Sequence, residues 1–522
     1  HGDYNVATNY VKGNNSYTVF AGANYSHVDG TETWNNENYQ FPQSLFDRES
    51  YSKNSYQNHQ EYMQFRYQNQ KGKKYWVGKF TLLNLSTPRN ASSGFAREST
   101  ETDIFSNIQK KSLSPKIDLN ANLPLSKNQT LTLGVHGKYS ANSYHRLYQE
   151  QPFEAMTDED EKALSFQLSA IYNYFSQKHS LSVELFHYHD VWNADYSGNC
   201  ELWQHLWKGE SLAFFSYNFQ ASRRLSLKTR IGLDWLQYHL HGDNSFSQLS
   251  PRINTNVQYQ LNKGMLLWSF SFVNSNHGMD VINRAMIQIN SHMMENGMPE
   301  LKKSHDINTY LYYMGRFNRL SVSAIGQFRY NHHPVTDDYY LDEANGKIVK
   351  TYSNGGNAQY YSAILALQYK LCKFANLSGD IRYNHAEVKT TWSKHNNNLT
   401  GNLGLNMFMG DFALKPYLHF GKKSLDEAAL VISKTPIDYG MSCSYSRGNL
   451  YVELQAASPF KKQEKRYWLD LPIYSYSKSI KDQTASQYAS IKVAYSFDFG
   501  RKTKKVEKDV NKNINSSLLR VE

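Results

Sequence analysis

Two histidine pairs are spaced to act together. His187-Tyr188-His189-Asp190 and His239-Leu240-His241-Gly242-Asp243 each carry imidazoles at positions i and i+2. In a strand such residues project from one face, so each pair would present two nitrogen ligands able to hold a metal or a haem-like group. His332 and His333 form a further pair, and Trp192, Trp203, Trp207, Tyr339 and Tyr340 offer flat apolar faces on which a sugar ring or a chelate could stack. The same residue types have another use: His, Trp and Tyr join an apolar body to a polar tip and collect where hydrocarbon meets water. No spacing fixes a third ligand, so neither a metal site nor a cofactor is assigned. Cys200, Cys372 and Cys443 are scattered, with no disulfide or metal pattern. Thr157-Asp158-Glu159-Asp160-Glu161 lacks the ligand spacing of a calcium loop and is expected to be a solvated acidic loop. No Ser/His/acid set stands in a recognisable motif context, so no enzymatic activity is expected.

The elements that must position these side chains are strands. Leu225, Leu227, Thr229, Ile231, Leu233 and Trp235 alternate with Lys228, Arg230 and Asp234; Ile117 to Leu123 alternates with Asp118, Asn120 and Asn122; Ile491 to Phe499 alternates with Lys492, Ser496 and Asp498. Such alternation puts one face in hydrocarbon and the other in water. About twenty such stretches run from Tyr4 to Phe499, and their connections alternate tight and long. The tight ones fall at Gly13-Asn14, Lys71-Gly72, Ser126-Lys127, Lys178, Arg223, Lys263, Arg316-Phe317, Lys373, Gly410-Asp411 and Gly448. Clipped ends on one side and elaborated ends on the other mark a transmembrane antiparallel up-and-down β-barrel, with short periplasmic turns and long extracellular loops.

Composition agrees. The 522 residues show no linker and no shift in texture, with only 12 Pro, and aromatics reach 14%, including 40 Tyr. No run approaches the roughly twenty apolar residues of a spanning helix, and a mean hydropathy of −0.67 suits a wall with only alternate residues in lipid. The net charge of +11 is spread over turns, loops and tail, which argues against a nucleic-acid groove. Attraction to anionic lipopolysaccharide or to an acidic ligand accounts for it equally well.

Counting strands back from Tyr488 to Phe499 gives about 21, with Tyr4 to Val11 running inward. Barrels of this kind have even strand numbers and both ends in the periplasm, so a first, outward strand is expected upstream of His1, giving about 22, the number seen in barrels with a plugged lumen. With neither initiator Met nor signal peptide, a mature chain or a fragment is expected. Residues 1–500 are assigned to the barrel and 501–522 to a periplasmic tail.

Two motifs and the chain end carry a resemblance. Ser250-Pro251-Arg252, followed by Ile253, Thr255, Val257, Tyr259 and Leu261, resembles an inward strand of TonB-dependent outer-membrane receptors. Gly297-Met298-Pro299-Glu300-Leu301-Lys302 is similar to that family's G-N-P-x-L-K-P stretch, with Met298 in place of Asn and Lys303 in place of the last Pro. The stretch from Gly448-Asn449-Leu450 through Ala457-Ser458-Pro459-Phe460 to Tyr495–Gly500 is similar to barrel ends of Bacteroidota members. The resemblance implies an importer of scarce nutrients such as iron chelates, cobalamin or glycans, working with a plug domain and, through it, TonB. The plug and its coupling box lie outside the 522 residues, and a surface lipoprotein is a further expected partner. A passive pore and a structural or adhesive surface barrel remain as alternatives.

The loops would carry specificity. Asp280–Asn296 has Ile282, Ala285, Ile289 and Met293 at helical spacing and Gly297 after its end, so a short amphipathic helix is expected there, packed on the loops or the barrel mouth. His27, His145, His187, His189, His239, His241, His332, His333 and His385 all fall at the outer ends of strands and are expected to ring the extracellular mouth.

Overall fold

A backbone crossing hydrocarbon must satisfy every N–H and C=O internally, and an alternating chain does so only by pairing strand to strand. The computed structural model describes residues 2–42, 44–243, 245–275, 278–460, 463–481 and 487–495. Among them, twenty-five strands form one sheet. Four of these, Lys422–Asp426, Val431–Thr435, Glu464–Asp470 and Tyr474–Lys481, lie only at its outer end, which leaves twenty-one strands in the wall. The first runs toward a tight turn, with Lys12 opposite Asn15 and Gly2 opposite Tyr25, so Tyr4 sits away from the short-turn side, as the strand count requires. All ten expected tight connections are present, the one placed at Arg316-Phe317 falling instead at Asn318-Arg319, and Gly13, Gly72, Gly410 and Gly448 take φ values of 58–61°, which only glycine adopts without strain. Phe497, Phe499 and the 501–522 segment lie outside the described residues.

The two faces separate as expected. Ile117, Leu119, Leu133, Val135, Leu185, Ile231, Leu233 and Ile381 leave 38–61% of their surface uncovered on the outer face, where lipid would cover them. On the lumen face polar groups pair across strands: Asp118 with His136 (2.7 Å), Glu184 with Arg230 (2.6 Å), Gln64 with Thr81 (2.9 Å) and Asp380 with Asn402 (2.9 Å). Lys228 and Arg382 remain exposed to the lumen.

The long connections depart from expectation. Roughly nine to eleven tilted residues suffice to cross a bilayer, yet Asn15–Phe41, Ser44–Lys71 and Glu101–Ser126 have 27, 28 and 26 residues. Much of what reads as loop is therefore strand continuing into the extracellular space. The Thr157–Glu161 cluster is the clearest correction. It lies within Phe153–Phe175, with Thr157, Glu159 and Glu161 turned inward and each only 1% exposed. Tyr196 donates to Glu159 (3.1 Å), and Asn142 donates to Glu161.

Above the membrane the wall closes on itself. Asn15–Phe41 pairs through residues 15–25 with Gly2–Lys12, then through residues 32–39 with Tyr474–Lys481. That strand leads through Glu464–Asp470 and Val431–Thr435 to Lys422–Asp426. The last link is made by side chains: Asn396 donates to the Lys423 carbonyl (3.0 Å) and the Lys423 N–H donates to Asn398 Oδ1 (2.8 Å). Strands Leu225–Leu240 and Ser245–Leu261 fix which residues meet lipid, so Ile231→Lys should destabilise the folded barrel by about 2–4 kcal/mol, whereas Lys228→Gln on the lumen face should be near neutral. Denaturant titration of protein folded into lipid vesicles measures both; equal effects would refute the facing.

Candidate functional site at the capped outer mouth

The mouth of the ring is filled from within. Residues 278–303, which join Gly264–Ser275 to Ser304–Phe317, and residues 333–356, which join Leu320–His332 to Asn357–Cys372, fold inward and meet. They build a second, four-stranded sheet: Ile287–Gln288 pairs with Met293–Glu295, which runs parallel to Lys347–Ser353, which pairs antiparallel with Thr336–Asp342. Only Met279–Ile282 is helical, so the expected helix over Asp280–Asn296 does not form. Its apolar residues are drawn in two directions instead. Ile282 and Ala285 join Met279, Ile287 and Leu301 against the wall residues Trp192, Ala194, Tyr196, Leu206 and Leu240. Met293 joins Tyr339 and Ile348 against Tyr39, Leu430, Leu469 and Tyr474. Ile289 is half-buried between the two clusters. Each fully buried aliphatic side chain contributes about 1.5–3 kcal/mol, and no single helix face could serve two separated cores.

Polar junctions hold the cap to the wall. Arg48, 4% exposed, donates to Glu37 Oε2 (2.9 Å), Glu150 Oε1 (2.9 Å) and the Tyr148 hydroxyl (3.0 Å), while Tyr39 and Tyr474 donate to Glu37 Oε1 (2.9 and 2.7 Å). The cap joins this network through Asn290, donating to the Tyr39 hydroxyl (3.1 Å), and Ser291, donating to Glu150 (3.4 Å). Arg146 donates to the carbonyls of Gln288 (2.8 Å) and Ile289 (2.6 Å). At the opposite end, the two motifs of the sequence meet. Arg252 of Ser250-Pro251-Arg252 donates to Asp234 (2.9 and 2.5 Å) and Glu210 (3.0 Å), and Lys303, directly after the Gly297–Lys302 stretch, pairs with the same Asp234 oxygen (2.9 Å). Tyr238 donates to the carbonyls of Pro299 and Leu301 (3.3 and 3.4 Å). A Cβ on Gly297 would lie 2.4 Å from the Asn283 carbonyl oxygen, so that tight crossing requires glycine.

Inside the cap, Lys350 bridges Glu295 (3.3 Å) and Asp337 (3.4 Å). Burial pushes the Asp337 carboxyl up to about 6; Lys350 pulls against that shift, and Glu295 and Asp426 add to it.

The sequence-selected residues divide among three environments. His187 and His189 share the outer face with Leu185. His187 bonds Ser211 (2.9 Å), His189 packs edge-on to Trp207 (5.3 Å), and Trp203 packs against His241 (5.0 Å) and His205 (6.0 Å), with His239 nearby bonded to Ser245 (3.2 Å). These residues form an outward belt across three adjacent strands, not a ring around the opening. Trp192 and Tyr339 are buried in the two cap cores. His332 and His333 lie tilted against each other at 3.9 Å on the rim, where His333 contacts the Asn354 carbonyl (2.9 Å), and Tyr340 is exposed on the cap hairpin. No group of three or more His, Cys, Asp or Glu able to hold a metal occurs among the described residues. The residues that anchor the cap, Arg48, Glu37, Glu150 and Arg146 at one end and Lys303 at the other, were not selected as site residues from the sequence. Glu150 lies 102 positions from Arg48, so no local spacing signals the pair; strand parity, which turns each inward, was the available sign.

No protein-family model and no curated protein sequence matches the chain. Solved structures do. The copper transporter OprC superposes over 90% of this chain and 85% of its own, with a TM-score of 0.56 at 10% identity. FpvA of P. aeruginosa, bound to heterologous pyoverdines, covers 87% and 71% (TM-score 0.52, 8% identity), and the ferric citrate transporter FecA in its unliganded form covers 87% and 78% (0.51, 9%). The fold is the β-barrel that these solved structures share.

Two outcomes test the cap. Arg48→Ala leaves Glu37 and Glu150 buried without their cation and should cost about 3–5 kcal/mol, read as a lowered unfolding midpoint; an unchanged midpoint would show that the network adds nothing. Because the Asp337 pKa in the closed cap exceeds the ordinary carboxylate value near 4, the closed form holds a proton that the open form releases. Closure should therefore strengthen as pH falls through about 6. Hydrogen exchange corrected for its intrinsic pH dependence should show slower cap opening at pH 5 than at pH 7.5, and Asp337→Asn should remove the difference.

Proposed function

We propose that this chain is the barrel of an outer-membrane receptor that binds a scarce nutrient at its outer rim and imports it with a plug domain and TonB energy coupling. The observation that supports this reading is the cap. A mouth closed by two inward-folded segments, two apolar cores and buried ion pairs does not suit a passive pore, whose conductance needs an open path. It suits a receptor that must release its mouth for a chosen ligand. The lumen face supports the same reading, since exposed Lys228 and Arg382 and the paired Glu184–Arg230 form a charged wall against which a plug can pack. Structural neighbours handle copper, ferric citrate or pyoverdine, so metal complexes head the list of nutrients to try, with oligosaccharides next.

Growth of cells carrying or lacking the gene, on a panel of ferric chelates, copper complexes and oligosaccharides as the limiting nutrient, tests it. At least one nutrient should support growth only with the gene present and TonB active. Growth that survives loss of TonB, accompanied by increased uptake of small hydrophilic antibiotics, would identify a passive pore. Surface attachment without any uptake phenotype would identify an adhesive barrel.

A further inference from the structure

We propose that an aromatic box on the rim is a preformed binding site for a planar nitrogen cation, imidazolium or guanidinium, and that the cap's own His292 occupies it as an internal mimic when the mouth is closed. The box belongs to the wall. Tyr39 and Phe41 end one strand, Phe46 lies just across the hairpin, and Glu98 follows the end of Lys74–Arg97. His292 belongs to the cap, between Ile287–Gln288 and Met293–Glu295, and enters the box as a ligand would. Its ring stacks on Phe46 (5.5 Å, 29°), lies tilted against Tyr39 (5.3 Å) and Phe41 (6.4 Å), and bonds Glu98 through Nε2 (2.7 Å). Three aromatic faces and one carboxylate around a flat nitrogen ring are the elements by which proteins recognise cations.

The charge beside the box favours the same ligand class. Glu98 lies 3.6 Å from Arg48 Nε, but Arg48 is already committed to Glu37 and Glu150, so three carboxylates face one guanidinium. A cation in the box offsets that surplus. The site also opens outward, since Phe46 and Leu45 are exposed on the rim. Occupancy is coupled to the cap by connectivity. The His292 backbone N–H bonds Asn290 Oδ1 (2.9 Å) and its carbonyl accepts from the Ile348 N–H (2.9 Å), so removing the ring pulls on both cap segments. An incoming ligand that carries an imidazolium or guanidinium group would compete with His292 and release the cap. The binding site stands on geometry alone; its use in uptake rests on the receptor reading above.

The test uses the purified protein in detergent, with imidazole and methylguanidine as probes and tetrahydrofuran as a neutral ring of similar size. In the unsubstituted protein, both cations should speed hydrogen exchange of peptides spanning 284–301, and tetrahydrofuran should not. His292→Ala removes the internal competitor, so those peptides should exchange at least about tenfold faster, the weight of one good cation–π contact. Imidazole measured by calorimetry should bind this variant at least about tenfold more tightly than the unsubstituted protein. Adding Glu98→Gln or Phe46→Ala to His292→Ala should abolish that binding. Equal affinity with and without His292, or cap exchange indifferent to both cations, would overturn the proposal. Cation binding at the box without any TonB-dependent growth phenotype would sustain the site and refute only the receptor reading.

Discussion

Every peptide group that enters hydrocarbon must find a partner within the protein, and that constraint orders the whole molecule. It forces the chain into continuous antiparallel pairing, and pairing forces strict alternation of side chains, so each strand delivers one row to lipid and one to the lumen. Above the membrane water relaxes the constraint, yet the ladders continue. Once two strands are registered, each further pair adds bonds to an existing hairpin at little entropic cost, and Asn15–Phe41 with Ser44–Lys71 carries this far beyond the bilayer. The outcome is a lopsided rim. Strands between residues 15 and 198 stand tall, while the wall strands between residues 264 and 372 are shorter, at 12–16 residues. The chain not spent on height in the shorter part forms the cap, which leans across to bond the taller wall.

The membrane-spanning part of this design was legible in the sequence because two independent signals coincide there. Period-two alternation identifies the strands, and turn residues such as Gly13, Gly72, Gly410 and Gly448 identify their short connections. Above the membrane the first signal fades, since the outer face meets water and the inner face mixes apolar core residues with buried ionic ones. Thr157-Asp158-Glu159-Asp160-Glu161 has neither strand propensity nor alternation; it is a strand because Tyr144 to Arg146 on one side and Gly198 to Asp195 on the other pair with it. Nothing local records such partners.

The cap was misread for a related reason. Ile282, Ala285, Ile289 and Met293 have helical spacing, but spacing describes a helix only when one surface receives the whole stripe. Here Trp192 and Leu206 receive one end and Tyr39 and Tyr474 the other, and the chain between stretches to reach both. The histidines were misplaced by a single parity question. Strand ends were located well enough to put His187, His189, His239 and His241 at the outer boundary, and the outward row they share with Leu185 and Trp235 places them in the aromatic belt. The buried Trp192 differs from them by odd steps along its strand, which is why it enters the core with Ala194 and Tyr196.

The distribution of forces within the cap bears on whether it can move. Its two ends are fixed by apolar burial, Met279 to Ile287 with Leu301 on one side and Tyr339 with Ile348 on the other. The span between, Gln288 to His292, is held by polar contacts to Arg146, Tyr39, Glu150 and Glu98, with the His292 ring packed among Tyr39, Phe41 and Phe46. Apolar contacts have no substitute in water, whereas hydrogen bonds exchange for bonds to water at a net cost of about 0.5–1.5 kcal/mol each, or about 1.5–3 kcal/mol where one partner is charged. The middle of the cap therefore opens more easily than its ends, and the side chains freed by that motion are those of the rim, facing the cell exterior. A mouth built so that its anchors are apolar and its seam is polar can open without unfolding, which a cap packed on one continuous hydrophobic core could not do.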